Sequence, residues 1–325
     1  GVSDIQQLQM ATQEGANVGV SAVVGNFDDA QTGVKTLFSD ESLREELAQR
    51  GYFLSSANSI NWGRVLPQIV YYISAYCDLL AQGAVTEGEP VNFCVPTGNF
   101  GNILSAFYAK EMGLPIGRLL CASNSNNVLT DFIATGKYDR NRPFYNTVSP
   151  SMDILISSNL ERLLYLLSGG DDKLVAGYMK ELSDTGCYQV SGEMLEKIQS
   201  VFVGGFSSEA ETEATIGKMM DEHKYLIDTH TAVAFHVLEQ YRKDTGDQTK
   251  TVVASTASPF KFCDAVLDAL HVTEKATGTA LLDQLADVSG MPAPQPLATL
   301  KDKKVRFTSW TEKEQMRAVV TDFLK

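Results

Sequence analysis

The sequence is poor in the features that mark membrane-spanning, nucleic-acid-binding and metal-binding proteins. It has no apolar run near the roughly 20 residues that a membrane helix needs, and its densest group of basic residues, at 301–306, is small. The five cysteines are scattered without C-x-x-C spacing, and the histidines show no metal-ligand spacing. We therefore expect no membrane, nucleic-acid or metal binding, and reduced thiols as in the cytoplasm.

The hydrophobic content limits the size of the core, and the net charge limits the kind of ligand site that the protein can form. The 325 residues are 44% hydrophobic and carry a formal net charge of −13. A chain of this length can bury a sizeable core, and we expect it to form roughly two domains. Because the net charge is negative, an anionic ligand has to be bound by a local site rather than by a broadly basic surface.

Apolar patterning predicts alternating strands and helices. Apolar and β-branched runs predict strands at residues 17–25, 52–56, 91–95, 118–122 and 250–256. Helical patterns fall at residues 28–38, 41–50, 62–82, 103–112 and 310–324. This βαβ rhythm indicates an α/β fold with a parallel sheet flanked by helices. From about residue 126 to 245 we expect mainly helix, with a capping box at Ser208 and Glu211.

The segment CVPTGNFGNILSAF, residues 94–107, links a predicted strand to a predicted helix. Such a turn aims backbone N–H groups outward, and Gly98 and Gly101 lack the Cβ atoms that would hold an anion away. The helix behind them adds unpaired N–H groups and the positive end of its dipole. A phosphate fits this loop. The same glycines could instead serve only the geometry of a tight turn, and the spacing alone leaves both interpretations open.

Two further polar stretches carry candidate ligand groups. In SSANSINWGR, the side chains of Asn58, Ser59 and Arg64 could bind a phosphate or carboxylate at a helix N-terminus, with arginine making a two-point contact. The alternative is a helix cap beside a solvated arginine. In ASTASPF, the hydroxyls of Ser255 and Thr256 end a predicted parallel strand, where α/β sheets bind ligands, or they cap the next helix.

Five segments taken together resemble threonine synthase, a pyridoxal-phosphate enzyme of fold type II, the group with the tryptophan synthase β-like architecture. The segments are SSANSINWGRVLPQIVYY, VPTGNFGNILSAFYAKEMGLPI, PSMDILISSNLERLLY, DTHTAVAF and ASTASPFKF. Their order and spacing match that family along the whole chain. One departure is Ser258, where the family often has histidine. It puts in doubt a role for a histidine there, but not the strand or the hydroxyls.

The resemblance implies conversion of O-phospho-L-homoserine and water to L-threonine and phosphate, with pyridoxal phosphate as cofactor. The cofactor phosphate would be held, mainly by backbone N–H groups, at Gly98, Asn99, Phe100, Gly101 and Asn102. Thr256 would hydrogen-bond the pyridine nitrogen. The phosphate of the substrate would be bound by Asn58, Ser59 and Arg64. One arginine in a shell of hydroxyl and amide groups is enough to bind a phosphate locally, whatever the net charge of the protein.

The resemblance also implies a lysine that carries the cofactor as a Schiff base, and no lysine here has the matching context. Lys261 follows the Thr256 strand but falls in the next helix, so we expect it to be structural or solvated. The lysine is therefore expected upstream, which would make this chain a C-terminal portion lacking the N-terminal region, with no catalytic residue of its own and no turnover alone.

The same resemblance predicts the domain organisation. Residues 1–55 would be the remainder of a smaller α/β domain, incomplete at its N-terminus. Residues 56–325 would form the large cofactor-binding domain, with a helical insertion at about 126–245 and a C-terminal linker and helix. We expect a cytoplasmic monomer or homodimer that makes threonine.

Two other classes of function stay open at this stage. One is another fold type II enzyme, of the threonine dehydratase or the cysteine or cystathionine synthase type, which lacks the group at Asn58, Ser59 and Arg64. The other is a non-catalytic homologue that binds pyridoxal phosphate or phosphate. His230, in DTHTAVAF, is expected to serve as a capping or packing residue rather than a catalytic one.

Overall fold

The computed structural model describes residues 3–25, 27–56 and 61–324. The chain forms two compact units. The first comprises Gly1–Ser56, Phe260–Leu267 and Val272–Lys325, and the second comprises Ala57–Pro259 and Asp268–His271.

The described residues form strands in both units. They are β1 (Ala22–Val23), β2 (Val91–Pro96), β3 (Ile116–Ser123), β4 (Lys137–Asp139), β5 (Cys187–Gln189), β6 (Phe202–Phe206), β7 (Thr251–Val253) and β8 (Trp310–Thr311). The helices are α1 (Asp4–Ala11), α2 (Phe27–Ser39), α3 (Glu41–Gln49), α4 (Trp62–Val65), α5 (Ile69–Ala81), α6 (Gly101–Glu111), α7 (Val128–Thr135), α8 (Leu160–Leu167), α9 (Asp172–Thr185), α10 (Gly192–Val201), α11 (Glu209–His223), α12 (Thr229–Thr245), α13 (Cys263–Ala269), α14 (Ala280–Ser289), α15 (Gln295–Ala298) and α16 (Met316–Phe323).

The main sheet of the second unit has four strands in the order β6-β3-β2-β7, and all of its pairs are parallel. Every residue of β2 is buried, as is typical of a parallel strand with helices on both faces. Side chains alternate between the two faces. Phe93 and Val95 pack in the core that includes α6, whereas Cys94 packs with Val233 and Val237 of α12. The predicted α/β fold with a parallel sheet is confirmed.

The first unit joins the two ends of the chain. β1 and β8 form a parallel pair, with Ala22 opposite Trp310. Arg317 of α16 reaches the carboxylates of Asp40 and Glu46, at N–O distances of 2.7 and 3.1 Å. Because of these pairings, the C-terminal segment from Val272 belongs to the same compact unit as the N-terminal segment. The domains drawn from the sequence differ here, since they counted this segment with the larger domain.

Several element predictions need correction. Residues 52–56 are not a strand, and the side chain of Phe53 is 88% exposed rather than part of a core. The helix predicted at 62–82 is interrupted by the 3-10 turn Leu66–Gln68, because Pro67 has no N–H group to continue an α-helix. The region 126–245, predicted to be mainly helical, also contributes β4, β5 and β6.

The capping box predicted at Ser208 is present at the start of α11. The Glu211 N–H donates to the Ser208 hydroxyl, and the Ser208 N–H donates to the Glu211 carboxylate at 2.8 Å. We expect Ser208→Ala to lower the free energy of unfolding by about 1 kcal/mol, measured by denaturant titration. Ser183→Ala is the matched control, because Ser183 lies exposed within α9 and makes no cap. An equal effect of the two substitutions would contradict the capping role.

Two features typical of membrane and metal-binding proteins are absent from the described residues. None of the helices formed by residues 3–25, 27–56 and 61–324 combines the length and the apolar character that crossing a membrane requires. Over the same residues, no group of three or more histidine, cysteine, aspartate or glutamate side chains is arranged to hold a metal ion.

Candidate active site

The carboxyl ends of the four parallel strands meet at one edge of the main sheet, and the candidate ligand residues follow them. The loop at 97–100 follows β2, and Ser255 and Thr256 follow β7, the neighbour of β2. The two ends are held in register, since the Ala254 N–H donates to the Cys94 carbonyl at 2.9 Å. The structure therefore brings Thr256 and the glycine loop to the same edge, where open α/β sheets bind ligands. Both Ser255 and Thr256 are exposed there.

The loop after β2 turns sharply into α6. Phe100, the residue before α6, has a left-handed backbone with φ 62°, which is uncommon for a residue with a side chain. Its ring is buried and packs against Phe202, with ring centroids 5.5 Å apart. Within the part of the chain that the structure describes, nothing accepts a hydrogen bond from the backbone N–H of Asn99, Phe100 or Gly101. These groups stand beside the positive end of the α6 dipole and suit an anion.

Gly98 is required by close packing. A Cβ atom at Gly98 would lie 2.8 Å from the carbonyl oxygen of Ser151 and 3.2 Å from the Cα of Met152. Real Cβ atoms do not approach backbone atoms so closely, so the loop and the 3-10 turn Pro150–Met152 would have to separate. Gly98 is thus required by packing against a distant segment and not by the turn geometry predicted as the alternative, since its φ is not positive. This packing leaves the neighbouring N–H groups open to an anion.

Asn102 ties the start of α6 to the segment that carries Arg64. Its side-chain amide donates to the Gln68 side chain at 2.9 Å, and the Tyr72 hydroxyl donates to its backbone carbonyl at 3.0 Å. Burial raises the pKa of Tyr72 well above its usual value, so the hydroxyl stays protonated and can donate. Asn102 thus contributes a side chain to the support of the loop, and its partners Gln68 and Tyr72 were not predicted as site residues.

The predicted substrate-binding group is only partly described. Asn58 and Ser59 lie outside the described residues. Asn61 caps α4, because its side chain accepts from the Gly63 N–H at 2.9 Å. Arg64 lies in α4 with an exposed side chain. Since the Ser105 hydroxyl of α6 donates to the Val65 carbonyl at 2.9 Å, α4 is fixed against the helix that begins at the loop.

His230 is buried, and both nitrogens of its ring lie within hydrogen-bond distance of polar groups. Its Nδ1 lies 3.0 Å from the Asp228 carboxylate, and its Nε2 accepts from the Ser151 N–H at 3.3 Å. These two bonds assign the proton of the neutral ring to Nδ1. Asp228 also caps α12. His230 is therefore a buried residue that also bonds to the 3-10 turn next to Gly98. The spacing of DTHTAVAF does not reveal this bond.

Two other residues considered in the sequence analysis are Lys261 and Ser258. Lys261 lies in the 3-10 helix Pro259–Lys261, and its backbone carbonyl accepts from the Ser3 hydroxyl at 2.8 Å. Ser258 is partly buried.

A polar network that was not predicted from the sequence holds the segment 147–153 in place. The Asp153 side chain, 9% exposed, accepts from the side-chain amides of Asn124 and Asn126 at 2.8 and 3.1 Å. It also accepts from the hydroxyl and the N–H of Thr147 at 2.7 and 3.0 Å. Asn124 follows β3 at the same sheet edge, so this network joins the segment that touches Gly98 to the sheet.

Comparison with known proteins places this arrangement in a family. Residues 231–320 match the family model described as "Threonine synthase, C-terminal". Human threonine synthase-like 1 is 44% identical over 295 residues, which cover 90% of this chain and 39% of that protein. Threonine synthase of Saccharomyces cerevisiae is 36% identical over 338 residues, which cover 99% of this chain and 62% of that protein.

A solved structure agrees along nearly the whole chain. The crystal structure of a threonine synthase from Brucella melitensis, with PLP bound, has a TM-score of 0.81 and 36% identity, and it covers 99% of this chain and 63% of that one. The chain thus spans only 39–63% of the length of these relatives. By sequence and by fold, this chain belongs to the threonine synthase family.

Proposed function

We propose that this chain is the part of a threonine synthase that binds the cofactor phosphate and the phosphate of the substrate. The whole enzyme would convert O-phospho-L-homoserine and water to L-threonine and phosphate, with loss of phosphate from the γ carbon and addition of water at the β carbon. The observation that carries the proposal is the loop at 98–102 at the carboxyl edge of a parallel sheet, where the N–H groups of Asn99, Phe100 and Gly101 meet no acceptor among the described residues.

The residues at this edge fit pyridoxal 5'-phosphate. The N–H groups of Asn99, Phe100 and Gly101, together with the start of α6, make a donor set for a phosphate dianion. Thr256, exposed one strand away, offers a hydroxyl to the pyridine nitrogen. A neutral hydroxyl leaves this nitrogen less positive than a carboxylate would. When bound, the cofactor supplies an electron sink for carbanion chemistry at the substrate.

A second anion site is proposed around Arg64. We assign the phosphate of O-phospho-L-homoserine to Asn58, Ser59 and Arg64, the group predicted from NSINWGR. Support comes from α4, which is packed on α6 through the Ser105–Val65 bond and presents Arg64 with an exposed side chain. A guanidinium can bind a phosphate at two points, so one arginine compensates locally for the acidic net charge.

The proposal is tested by coupled product measurement. O-Phospho-L-homoserine and pyridoxal phosphate are given to the 325-residue chain and to the longest reading frame that contains it, and phosphate and threonine are quantified together. We propose that the lysine that carries the cofactor lies outside this sequence, so only the longer protein should be active. Phosphate and threonine formed in equal amounts would support the reaction. Absence of both from the folded longer protein would favour a non-catalytic homologue, and phosphate without threonine would favour another fold type II lyase.

Arg64→Ala should separate substrate binding from cofactor binding. Loss of charge-assisted hydrogen bonds to a phosphate costs about 1.5–3 kcal/mol, so affinity for O-phospho-L-homoserine should fall by about tenfold to a hundredfold. Affinity for pyridoxal phosphate should not change. Both are measured by titration of the longer protein. Arg44→Ala, which removes an exposed arginine from α3, is the matched control and should affect neither ligand. Equal losses for both ligands in Arg64→Ala would refute this division of roles.

A further inference from the structure

Three consecutive residues before α8 bind the glycine loop through its carbonyl and side-chain oxygens. The Ser157 hydroxyl donates to the Gly98 carbonyl at 2.9 Å. The Asn159 side-chain amide donates to the Asn99 carbonyl at 2.8 Å, and the Asn159 N–H donates to the same oxygen at 3.1 Å. The Ser158 hydroxyl donates to the Asn99 side chain at 3.1 Å. We call residues 157–159 the carbonyl clamp.

The carbonyl clamp is itself rigidly held. The Ser157 N–H donates to the Tyr138 hydroxyl at 2.8 Å, and that hydroxyl donates to the Leu155 carbonyl at 3.1 Å. The Tyr138 ring is buried and stacks on Tyr188, with centroids 5.3 Å apart and planes 2° from parallel. Asn159 is fully buried. Since these anchors lie in the core, the clamp cannot shift to follow the loop, and the loop is fixed by the clamp.

Fixing two carbonyls fixes the direction of two donors. In a trans peptide the C=O and the next N–H point in opposite directions, and no peptide bond of the described chain is cis. Because the Gly98 carbonyl points to the clamp, the Asn99 N–H points away from it. Because the Asn99 carbonyl points to the clamp, the Phe100 N–H also points away. These are two of the N–H groups for which the described chain offers no acceptor.

We propose that Ser157 and Asn159 are positioning residues for the phosphate of the cofactor, an inference that rests on the proposed function. They do not touch the phosphate. They hold the peptide planes at 98–99 and 99–100 so that the N–H groups of Asn99 and Phe100 are already oriented before the ligand binds. Preorganised donors bind more tightly because the cost of ordering the loop has been met during folding.

The test uses a pair of ligands that differ only in the phosphate. 4'-Deoxypyridoxine 5'-phosphate and 4'-deoxypyridoxine lack the aldehyde, so neither forms a bond to any lysine, and both can be titrated against the 325-residue chain. We expect Asn159→Ala and Ser157→Ala to weaken binding of the phosphorylated ligand about tenfold, as loss of one well-placed hydrogen bond does. Binding of the unphosphorylated ligand should stay within about twofold of wild type.

Asn92→Ala is the matched control for loss of a buried asparagine. Asn92 is 2% exposed, donates to Asp247 at 2.9 Å and lies at the opposite end of β2 from the loop. It should lower the melting temperature without changing either affinity. Equal losses for both ligands in the clamp variants, or no loss in Ser157→Ala, would overturn the positioning role. Failure of the wild-type chain to bind the phosphorylated ligand would instead overturn the proposed function. If Asn159→Ala does not fold, Ser157→Ala decides.

Discussion

Gly98→Ala is expected to lower affinity for the cofactor phosphate by about tenfold or more and to lower the free energy of unfolding by about 2 kcal/mol. The added methyl group would meet the Ser151 carbonyl at 2.8 Å and the Met152 Cα at 3.2 Å. Both are backbone atoms, which cannot rotate away as a side chain can. Relief therefore requires the loop to move from the 3-10 turn, and the N–H groups of Asn99 and Phe100 would move with it.

The measurements are titration with 4'-deoxypyridoxine 5'-phosphate and denaturant unfolding. Gly177→Ala is the matched control, because Gly177 lies exposed within α9 and a Cβ there meets nothing within 4 Å. That substitution should raise stability by about 0.5–1 kcal/mol, since alanine favours helix over glycine. It should leave the affinity unchanged. A Gly98→Ala variant with wild-type affinity would show that the loop tolerates displacement and would contradict the close-packing argument.

Local signals in the sequence were enough to predict the two elements that flank the candidate site. The apolar run at 91–95 and the helical pattern at 103–112 correspond to β2 and α6, and the loop between them is where the glycines occur. The Ser208 cap was also readable, because a capping box is a pattern of neighbours three residues apart. Such features need no knowledge of the remainder of the fold.

Strand β6 was missed because two of its five residues, Gly204 and Gly205, are glycines, which are depleted in strands and interrupt the apolar pattern of FVGGF. Its two glycines are explained only by the packed structure. A Cβ at Gly204 would lie 2.9 Å from the Thr130 Cα, and one at Gly205 would lie 2.6 Å from the Val237 side chain. Helices α7 and α12 therefore press against this edge strand so closely that only glycine fits. Tertiary contacts therefore require glycine at both positions. A local sequence pattern could not reveal this requirement.

The supports of the candidate site were missed for a related reason. Ser157 and Asn159 stand about sixty residues from the loop that they bind, as the separations of 59 and 60 positions show. A serine and an asparagine before a helix predict a cap when taken alone. Their use as donors to the loop carbonyls depends on how β2 and the segment before α8 meet in three dimensions.

Asp153→Ala is expected to destabilise the second unit by about 3 kcal/mol or more, the cost of leaving several buried donors without an acceptor. In the wild type, one carboxylate accepts from the side chains of Asn124 and Asn126 and from two groups of Thr147, at 2.7–3.1 Å. Asn124 is fully buried and Asn126 nearly so. Water therefore cannot readily replace the lost acceptor.

The consequence reaches the site, because the segment that Asp153 fixes contains the turn packed on Gly98. Denaturant unfolding and titration with the phosphorylated ligand should show stability and affinity falling together. Asp184→Ala is the control: Asp184 pairs with Lys180 on the surface of α9 and is 54% exposed, so its loss should cost no more than about 0.5 kcal/mol. If Asp153→Ala were as mild as this control, the network would be dispensable. The turn at Pro150–Met152 would then have to be held by other polar bonds of its segment, such as those from the Ser151 N–H to His230 and from the Val148 N–H to Glu209.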